Sequence, residues 1–358
     1  MIALKVNAPN NYNRLFADYQ SNKSTRPLLL HGECRAVLGK LPSESVDIIL
    51  TSPPYWRHRQ YASGGIGQEK TFQEYIANLT DVFREVYRVL KPTGSAWLNI
   101  GDSYDKKNLV GVPWRTAIAL TDNVGFTLRN DVIWHKVKGG PDNADDKLRN
   151  VHEHVFHFTK QAKGYYYDVT SIRNTPKKAK VVKGAIVSAT GVTGVRYERQ
   201  IELSTELTDI EKENAKQALH GVLDDMRNGK TGDFRMVIRG QQRATHSDSE
   251  KVSGRAKELA QKGFYFLKYH PDGTKPSDVW EIIPEDTQGR QSHFAPFPRD
   301  LCRIPVIATC PPHGIVLDPF CGTGTAMLVA MDTGRKSVGI DLSSEYLAIA
   351  EERRKKSE

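Results

Sequence analysis

Residues 46–55, VDIILTSPPY, indicate the fold of this chain. The first five form a mostly apolar run typical of a buried strand, and Thr51-Ser52-Pro53-Pro54-Tyr55 follows directly. In open α/β sheets, ligands bind at the carboxyl ends of the strands. A hydroxyl, two rigid prolines and an aromatic ring at that position suit a planar ring with an exocyclic amino group, such as cytosine or adenine.

Residues 318–325, DPFCGTGT, lie between a predicted strand and a predicted helix. Gly322 and Gly324 permit close approach of the backbone to a ligand. The next predicted strand ends at Asp341, where an acid can accept hydrogen bonds from ribose hydroxyls. Met327 occupies the third glycine position of the dinucleotide fingerprint, which favours an adenosine ligand without phosphates, such as S-adenosylmethionine. A purely structural glycine turn is the alternative reading of this segment alone.

The composition indicates a soluble globular protein with a polyanionic partner. The chain has 358 residues and a formal net charge of +9. We find no apolar run near the roughly 20 residues of a membrane span, and no signal peptide, so a cytoplasmic location is expected. The four cysteines have neither pairing nor metal-ligand spacing, which predicts reduced thiols.

Alternating predicted strands and helices are interrupted by a segment rich in Lys and Arg. The predicted insert contains one clear helix, from Thr208 to Asn228, with Thr208 and Glu211 as a capping box. The predicted segments are a polar lead-in (1–26), a catalytic half (27–170), an inserted target-recognition domain (171–286) and a cofactor-binding half (287–358).

Together, the two motifs resemble those of the DNA amino-methyltransferases, which transfer methyl from S-adenosylmethionine to N4 of cytosine or N6 of adenine. The catalytic motif precedes the cofactor motif, which resembles the circularly permuted β group. Residues 32–34, 97–102, 152–158 and 293–298 also match. The resemblance implies an α/β, Rossmann-like methyltransferase fold: a seven-stranded mixed sheet with helices on both faces, circularly permuted, plus an inserted DNA-recognition domain. It also places the strand before Ser52 beside the strand of Asp318.

The implied reaction assigns roles to the first motif. The exocyclic amine is a poor nucleophile, so we expect the Ser52 hydroxyl and the Pro53 carbonyl to accept hydrogen bonds from it. Pro53 and Pro54 hold their carbonyls rigidly. The base must leave the duplex, and Tyr55 is expected to stack on it. Trp56 is either a pocket wall or a core residue.

The resemblance also assigns cofactor contacts. We expect Asp341 to bind the ribose, and Glu33 or Cys34 to approach the adenine. The predicted cofactor-binding residues are Glu33, Cys34, Phe294, Asp318, Phe320, Cys321, Gly322, Thr323, Gly324, Thr325 and Asp341. His152, His154 and His157 lie along one predicted strand without a carboxylate cluster, which favours structural histidines over a metal site.

The basic insert is expected to bind phosphates, so that binding weakens as salt is added. Candidate contacts to base edges are Arg239, Gln241, Gln242 and Arg243.

The predicted substrate is double-stranded DNA, and cytosine N4 is the preferred target. Within the family, Ser at the position of Ser52 occurs mostly with cytosine, whereas Asp or Asn occurs mostly with adenine. Adenine N6 is the first alternative, since either residue type can accept from an amino group. RNA or protein-glutamine methylation and a catalytically inactive DNA-binding module are further alternatives. A homodimer and a cognate restriction endonuclease stay open.

Overall fold

The computed structural model describes residues 11–57, 65–137, 144–174, 180–182, 185–187, 194–240, 254–285 and 298–357. For 180–182, 185–187, 254 and 256 it describes the backbone alone. The chain forms two compact units, Met1–Ser171 with Ser277–Glu358, and Ile172–Pro276. The second unit lies inside the insert predicted over 171–286. The described residues after Pro276 belong to the first unit, because they add a strand to its sheet.

Strands and helices alternate through most of the first unit. Within the described part of the chain, no helix is both long enough and apolar enough to span a membrane. In chain order the strands are β1 Leu28–His31, β2 Val46–Thr51, β3 Leu90–Ile100, β4 Tyr104–Asp105, β5 Asn108–Leu109, β6 Thr127–His135, β7 His152–Thr159, β8 Lys180–Val182, β9 Ala185–Val187, β10 Asp233–Ile238, β11 Phe264–Tyr269, β12 Val279–Glu281, β13 Ile315–Asp318 and β14 Lys336–Asp341. The helices are α1 Tyr12–Ser21, α2 Cys34–Leu38, α3 Phe72–Val89, α4 Val112–Val124, α5 Gly194–Glu202, α6 Asp209–Arg227, α7 Gly254–Lys262, α8 Arg299–Thr309, α9 Thr325–Asp332 and α10 Ser344–Ser357.

The central sheet has the order β1-β14-β13-β2-β3-β7-β6-β12. The strands from β1 to β3 in this order are parallel to their neighbours, while β7 is antiparallel to both β3 and β6. The sheet is therefore mixed, as predicted, and most of its strands are parallel. It contains eight strands rather than seven. The additional strand, β12, runs parallel to β6 at the edge, and its three residues are too few to show a period in the sequence.

Helices cover both faces of this sheet. Along β2, Ile49 packs in the core that includes α2, α3 and α4, whereas Ile48 and Leu50 pack in the core that includes α8 and α9. Every residue of β2 is buried. Burial on both faces explains why the sequence of this strand is nearly continuous in apolar residues. The chain thus has the predicted α/β, Rossmann-like arrangement.

The predicted polar lead-in contains an ordered helix. Helix α1 buries Phe16 and Tyr19 in the core. The Tyr19 hydroxyl accepts a hydrogen bond of 2.9 Å from the backbone N–H of Ser337 in β14. The Lys336 ammonium donates to the carbonyls of Tyr19 and Gln20 near the end of α1. The described part of the lead-in is therefore a packed element of the first unit.

Helix α3 begins at a capping box formed by Thr71 and Glu74. The sequence Pro92-Thr93-Gly94 is typical of a break between two elements. In the structure, β3 begins directly after the helix, at Leu90, and runs through residues 92–94. This difference lengthens β3 without moving its carboxyl end, which is the end that reaches the site.

The second unit has its own hydrophobic core. Helix α6 carries the predicted capping box of Thr208 and Glu211. Strands β10 and β11 pair antiparallel. The core residues include Tyr197, Ile201, Leu219, Phe234, Met236, Ile238 and Phe264.

Candidate active site

The two sequence motifs lie at neighbouring strand ends. Strand β2 carries the first motif and pairs in parallel with β13, which carries Asp318. The Thr51 hydroxyl donates a hydrogen bond of 2.6 Å to Oδ1 of Asp318. Both side chains are buried. The predicted adjacency of these two strands is therefore confirmed.

The corner after β2 is held from several sides. Pro53 is buried, and the Pro54 carbonyl accepts a hydrogen bond of 3.0 Å from the Tyr75 hydroxyl of α3. Trp56 is 2% exposed and donates from its indole nitrogen to the Glu69 carbonyl. Trp56 is thus a core residue, which decides the alternative that the sequence left open. The corner is rigid because its backbone and its neighbouring side chain are both anchored.

Tyr55 is anchored through its hydroxyl, a feature that was not predicted. The hydroxyl donates a hydrogen bond of 2.6 Å to Oε2 of Glu153 in β7. Burial, followed by the nearby Glu153 carboxylate, raises the pKa of Tyr55. The ring lies against Gly101, where an added Cβ would come within 2.7 Å of Cε2 of Tyr55. The ring is therefore fixed in one orientation at the strand end.

Asn99 and Glu153 are site residues to which the sequence analysis gave no role. The Asn99 amide nitrogen lies 2.8 Å from the Tyr55 hydroxyl, 2.8 Å from Oε2 of Glu153 and 3.3 Å from Oγ of Ser52. Both occur in stretches that match the family, but no local pattern pairs them. Their contact depends on the antiparallel pairing of β3 with β7.

Asp318 carries a buried oxygen that accepts no hydrogen bond from a described residue. The side chain is 1% exposed, and Oδ1 accepts from Thr51 and from the backbone N–H of Phe320. Oδ2 has no hydrogen-bond partner among the described residues. Burial raises the pKa of Asp318 to about 7. A buried carboxylate oxygen without a partner is costly, which indicates that a polar or cationic ligand completes it.

The glycine turn joins Asp341 to the loop after β13. Gly322 and Gly324 have φ values of 49° and 81°, in the left-handed region that favours glycine. The Gly322 N–H donates a hydrogen bond of 2.8 Å to Oδ2 of Asp341, and the Ser343 N–H donates to Oδ1. Burial raises the pKa of Asp341. Each carboxylate oxygen retains capacity for a second hydrogen bond, as ribose binding requires.

The threonines of the turn are tied to the last helix. The Arg353 guanidinium donates to the Thr323 carbonyl and hydroxyl, both at 2.9 Å, and to the Thr325 hydroxyl at 3.1 Å. Phe320 is partly buried and Cys321 is buried at the same turn. Arg353 was not predicted, because it lies on a charged helix that looks like a solvated face.

Glu33 and Cys34 follow β1, whose last residue His31 pairs with Asp341. The Glu33 carboxylate caps α2 by accepting from the backbone N–H groups of Arg35 and Ala36 at 3.1 and 2.8 Å. Burial opposes ionisation of Glu33, but these backbone hydrogen bonds outweigh it and lower its pKa. The carboxylate thus has a structural role that the adenine assignment did not include. Cys34 is a buried free thiol.

Several predicted site residues fall elsewhere. Arg239 donates to the carbonyls of Glu206 and Ala260 and pairs with Glu211. Its guanidinium therefore connects elements within the second unit, a structural role that the predicted base contact did not include. Phe294, Gln241, Gln242 and Arg243 lie outside the described residues.

The histidines of β7 have structural partners. His157 is 1% exposed, stacks on Trp97 at a centroid distance of 4.2 Å, and has its pKa lowered to about 3 by burial. His154 contacts Asp131 at 2.9 Å. No group of three or more His, Cys, Asp or Glu side chains that could hold a metal ion occurs in the described part of the chain.

Comparison with known proteins identifies the family of this chain. Residues 46–352 match the family model described as DNA methylase. The chain belongs to this family of N4/N6 DNA amino-methyltransferases, which use S-adenosyl-L-methionine. It is 31% identical to the Type II methyltransferase M.SmaI of Serratia marcescens, over 91% of this chain and 89% of the relative. It is also 31% identical to M.SfiI of Streptomyces fimbriatus, over 88% of each chain.

Solved structures share the fold. The PvuII DNA methyltransferase, titled cytosine-N4-specific, superposes with a TM-score of 0.54 at 17% identity, covering 94% of both chains. A DNA modification methylase of Thermus thermophilus, solved in complex with S-adenosyl-L-methionine, has a TM-score of 0.50 at 20% identity and covers 92% of this chain and 95% of its own. These similarities establish the architecture.

The residues present fit this cofactor. The unpaired Oδ2 of Asp318 offers an acceptor in a buried position. The turn packs closely on α10, because a Cβ added at Gly324 would lie 3.0 Å from that of Ala350. Asp341 supplies two acceptor oxygens at the next strand end. An acceptor for the cationic methionine end of the cofactor and an acceptor for its ribose thus lie on neighbouring strands.

Proposed function

We propose that this protein transfers a methyl group from S-adenosyl-L-methionine to the exocyclic N4 of a cytosine flipped out of double-stranded DNA. The observation that supports this most directly is the 2.6 Å hydrogen bond between Thr51 and Asp318. It brings the residue before Ser52 into contact with the acid that opens the glycine turn. A methyl donor and an amine held at these two places would share one cleft.

Ser52 and Pro53 are assigned to the amine. Their oxygens accept hydrogen bonds from the amino group, which favours a pyramidal nitrogen whose lone pair points at the methyl carbon. Preorganised acceptors stabilise the positive charge that develops on nitrogen during transfer. The amine nitrogen would gain the methyl carbon and give up one proton to water, and the donor would leave as a neutral thioether.

Tyr55 and Pro54 are assigned to positioning. Tyr55 is partly exposed as a residue and its hydroxyl is anchored, so the ring is assigned to stack on a flipped base. The Pro54 carbonyl is committed to Tyr75, which keeps the corner rigid. Rigid placement matters because small misalignments of the reacting atoms reduce rate strongly.

For the cofactor, Asp341 is assigned to the ribose, and Asp318 with the turn from Phe320 to Thr325 to the methionine end. S-Adenosyl-L-methionine supplies an electrophilic methyl group when bound. Cys34 and Phe294 keep their predicted roles near the adenine. Glu33 is assigned to helix capping, because its carboxylate is already engaged.

The second unit is proposed to read the DNA. Its described cations Arg235, Arg255 and Lys257 are exposed and suit phosphate contacts. Gln241, Gln242 and Arg243 keep their predicted role at base edges. Circular permutation and a homodimer stay predictions. The Type II names of the relatives support a cognate restriction endonuclease as a proposed partner.

Mass spectrometry of nucleosides tests the target base. DNA from cells that express the chain should contain N4-methylcytosine, and DNA from cells that express Ser52→Ala should contain far less. N6-methyladenine without N4-methylcytosine would replace our choice with the first alternative, because the same acceptors suit adenine. If DNA that has been incubated with the purified wild-type protein and the cofactor contains neither base, the proposed activity is refuted.

A further inference from the structure

Five polar side chains form one connected cluster, which we call the Glu153 network: Ser52, Tyr55, Asn99, Lys136 and Glu153. They lie where β2, β3 and β6 end and β7 begins. Glu153 is 8% exposed and Asn99 is 2% exposed, so these two members are shielded from water, whereas Ser52, Tyr55 and Lys136 are partly exposed. Buried polar networks hold their members in fixed orientations when hydrogen bonds connect them.

The number of hydrogens on each group determines which groups of the Glu153 network donate and which accept. The carboxylate of Glu153 can only accept, and its Oε2 lies 2.6 Å from the Tyr55 hydroxyl and 2.8 Å from the Asn99 amide nitrogen. The single hydroxyl hydrogen of Tyr55 is therefore used on Glu153. The Tyr55 oxygen is left as an acceptor for its other neighbours.

Ser52 is the neighbour that matters for the reaction. Its hydroxyl donates toward the Tyr55 oxygen over a long 3.4 Å. With its hydrogen turned to Tyr55 and one lone pair facing the Asn99 amide nitrogen at 3.3 Å, the Ser52 oxygen presents its other lone pair to an amine placed beside it. Hydrogen bonds at reactive sites are often long before substrate binds and shorten afterwards.

The orientation of Asn99 also follows from Glu153. Turned the other way, the Asn99 amide would place its oxygen 2.8 Å from the carboxylate, where two acceptors repel. The observed orientation leaves Oδ1 of Asn99 buried without a partner among the described residues. An unpaired buried oxygen indicates that the contact of the amide nitrogen with Glu153 dominates the arrangement.

Lys136 supplies the countercharge. Its ammonium contacts Oε1 of Glu153, the oxygen that faces neither Tyr55 nor Asn99. Each carboxylate oxygen therefore has its own partners, with the cation on one side and the two neutral donors on the other. A replacement side chain at position 153 would have to satisfy Lys136 first, because a charged donor makes the stronger hydrogen bond.

We propose that Glu153 is a positioning residue for methyl transfer: through Tyr55 and Asn99, it sets the direction of hydrogen bonding so that Ser52 accepts from the target amine. This proposal rests on the proposed function of Ser52. Glu153 needs no contact with the substrate in this role.

Glu153→Gln tests the proposal with a side chain of nearly the same shape. Lys136 should hold the new amide oxygen, which turns the amide nitrogen toward Tyr55. Tyr55 must then accept, and its hydrogen turns toward Ser52 and blocks the acceptor. We expect kcat for methyl transfer to fall about 100-fold, with KM for the cofactor within about twofold of wild type.

Asp131→Asn is the matched control. Asp131 is a partly buried acid on the adjacent strand β6, it contacts His154, and it lies outside the Glu153 network. This variant should keep nearly full activity. Comparable losses in Asp131→Asn and Glu153→Gln would mean that any lost charge in this region reduces activity, and would overturn the proposal.

A double-mutant cycle separates positioning from general damage. Tyr55→Phe removes the hydroxyl that connects Glu153 to Ser52, so adding Glu153→Gln to it should cost much less than in wild type. If the activity losses of the two single variants multiply in the double variant, or if Glu153→Gln keeps full activity, the proposal is overturned. The protein would still be a methyltransferase in either case. Failure of the wild type to methylate DNA would instead refute the proposed function. Should Glu153→Gln not fold, full activity in Tyr55→Phe would overturn the proposal on its own.

Discussion

The Thr51 hydroxyl lies 2.6 Å from Oδ1 of Asp318, although 267 positions separate the two residues in the chain. This single hydrogen bond joins the last residue of β2 to the last residue of β13. It links the corner that is proposed to hold the target amine with the turn that fits the methyl donor. Both the integrity of the site and the affinity for the cofactor should therefore depend on it.

Thr51→Val should destabilise the protein and weaken cofactor binding. The change removes a donor from a buried carboxylate, which costs about 1–3 kcal/mol in the free energy of unfolding. Urea denaturation and calorimetric titration of the cofactor would measure the two effects. Thr80→Val is the control, since the buried Thr80 hydroxyl donates only to a carbonyl of its own helix, that of Ile76. Equal effects of the two substitutions would contradict a special role for Thr51.

Cofactor affinity should rise with pH from about 6 to 8. The pKa of Asp318 is raised by burial from 3.8 to about 7. Only the ionised carboxylate attracts a cationic ligand, so binding strengthens as Asp318 loses its proton. The contribution of Asp318 to folding has the opposite sign. Because its folded pKa is raised, that contribution is fully present below about pH 4 and is lost as pH rises through 7.

Asp318→Asn provides the comparison for this pH dependence. Its cofactor binding should be weaker and should vary little between pH 6 and 8. Isothermal titration at several pH values would measure this. A wild-type affinity that does not change over this range would contradict the assignment of Asp318.

Gly324→Ala should affect cofactor binding more than Gly334→Ala. Both glycines have positive φ, 81° and 72°, so each substitution should cost about 1–2 kcal/mol of stability. Only at Gly324 would the new Cβ also meet a neighbour, 3.0 Å from Cβ of Ala350. Binding measurements at a temperature where both variants are folded separate the two effects. Equal affinities would show that the turn at Gly324 does not shape the cofactor site.

DNA binding should weaken steeply with added salt. Arg235, within β10, and Arg239, directly after it, should affect this binding differently. Arg235 is exposed, so Arg235→Ala should reduce the slope of log K against log salt by about one unit. Arg239 is engaged inside the second unit, so Arg239→Ala should destabilise that unit instead. Fluorescence anisotropy at several salt concentrations and thermal unfolding would measure this. A salt-independent affinity would count against DNA as the substrate.

The sequence predicted the local parts of this site well. The corner at Ser52 and the turn at Gly322 are each contiguous, and the apolar strands before them are buried on both faces, so their positions follow from short patterns. The adjacency of β2 and β13 was also predicted, although from the family resemblance rather than from the residues. Helix α6 was predicted because its capping box and its apolar face both indicate a helix over the same residues.

The contacts that could not be predicted are those set by strand pairing and side-chain partners. Glu153 reaches Tyr55 only because β7 pairs antiparallel with β3, and nothing near Glu153 in the sequence marks it as buried. Arg239 looked like a cation for DNA, but Glu211 and two carbonyls hold it internally. The charge of a side chain is known from the sequence, whereas the groups that bind that side chain in the folded protein are not.

The most direct test of the central claim is single-turnover transfer of a labelled methyl group to DNA by Ser52→Ala, with cofactor affinity measured on the same preparation. The account predicts a loss of about 100- to 1,000-fold in the rate of transfer, with cofactor affinity unchanged, because Ser52 acts on the amine alone. Transfer at the wild-type rate would contradict the account.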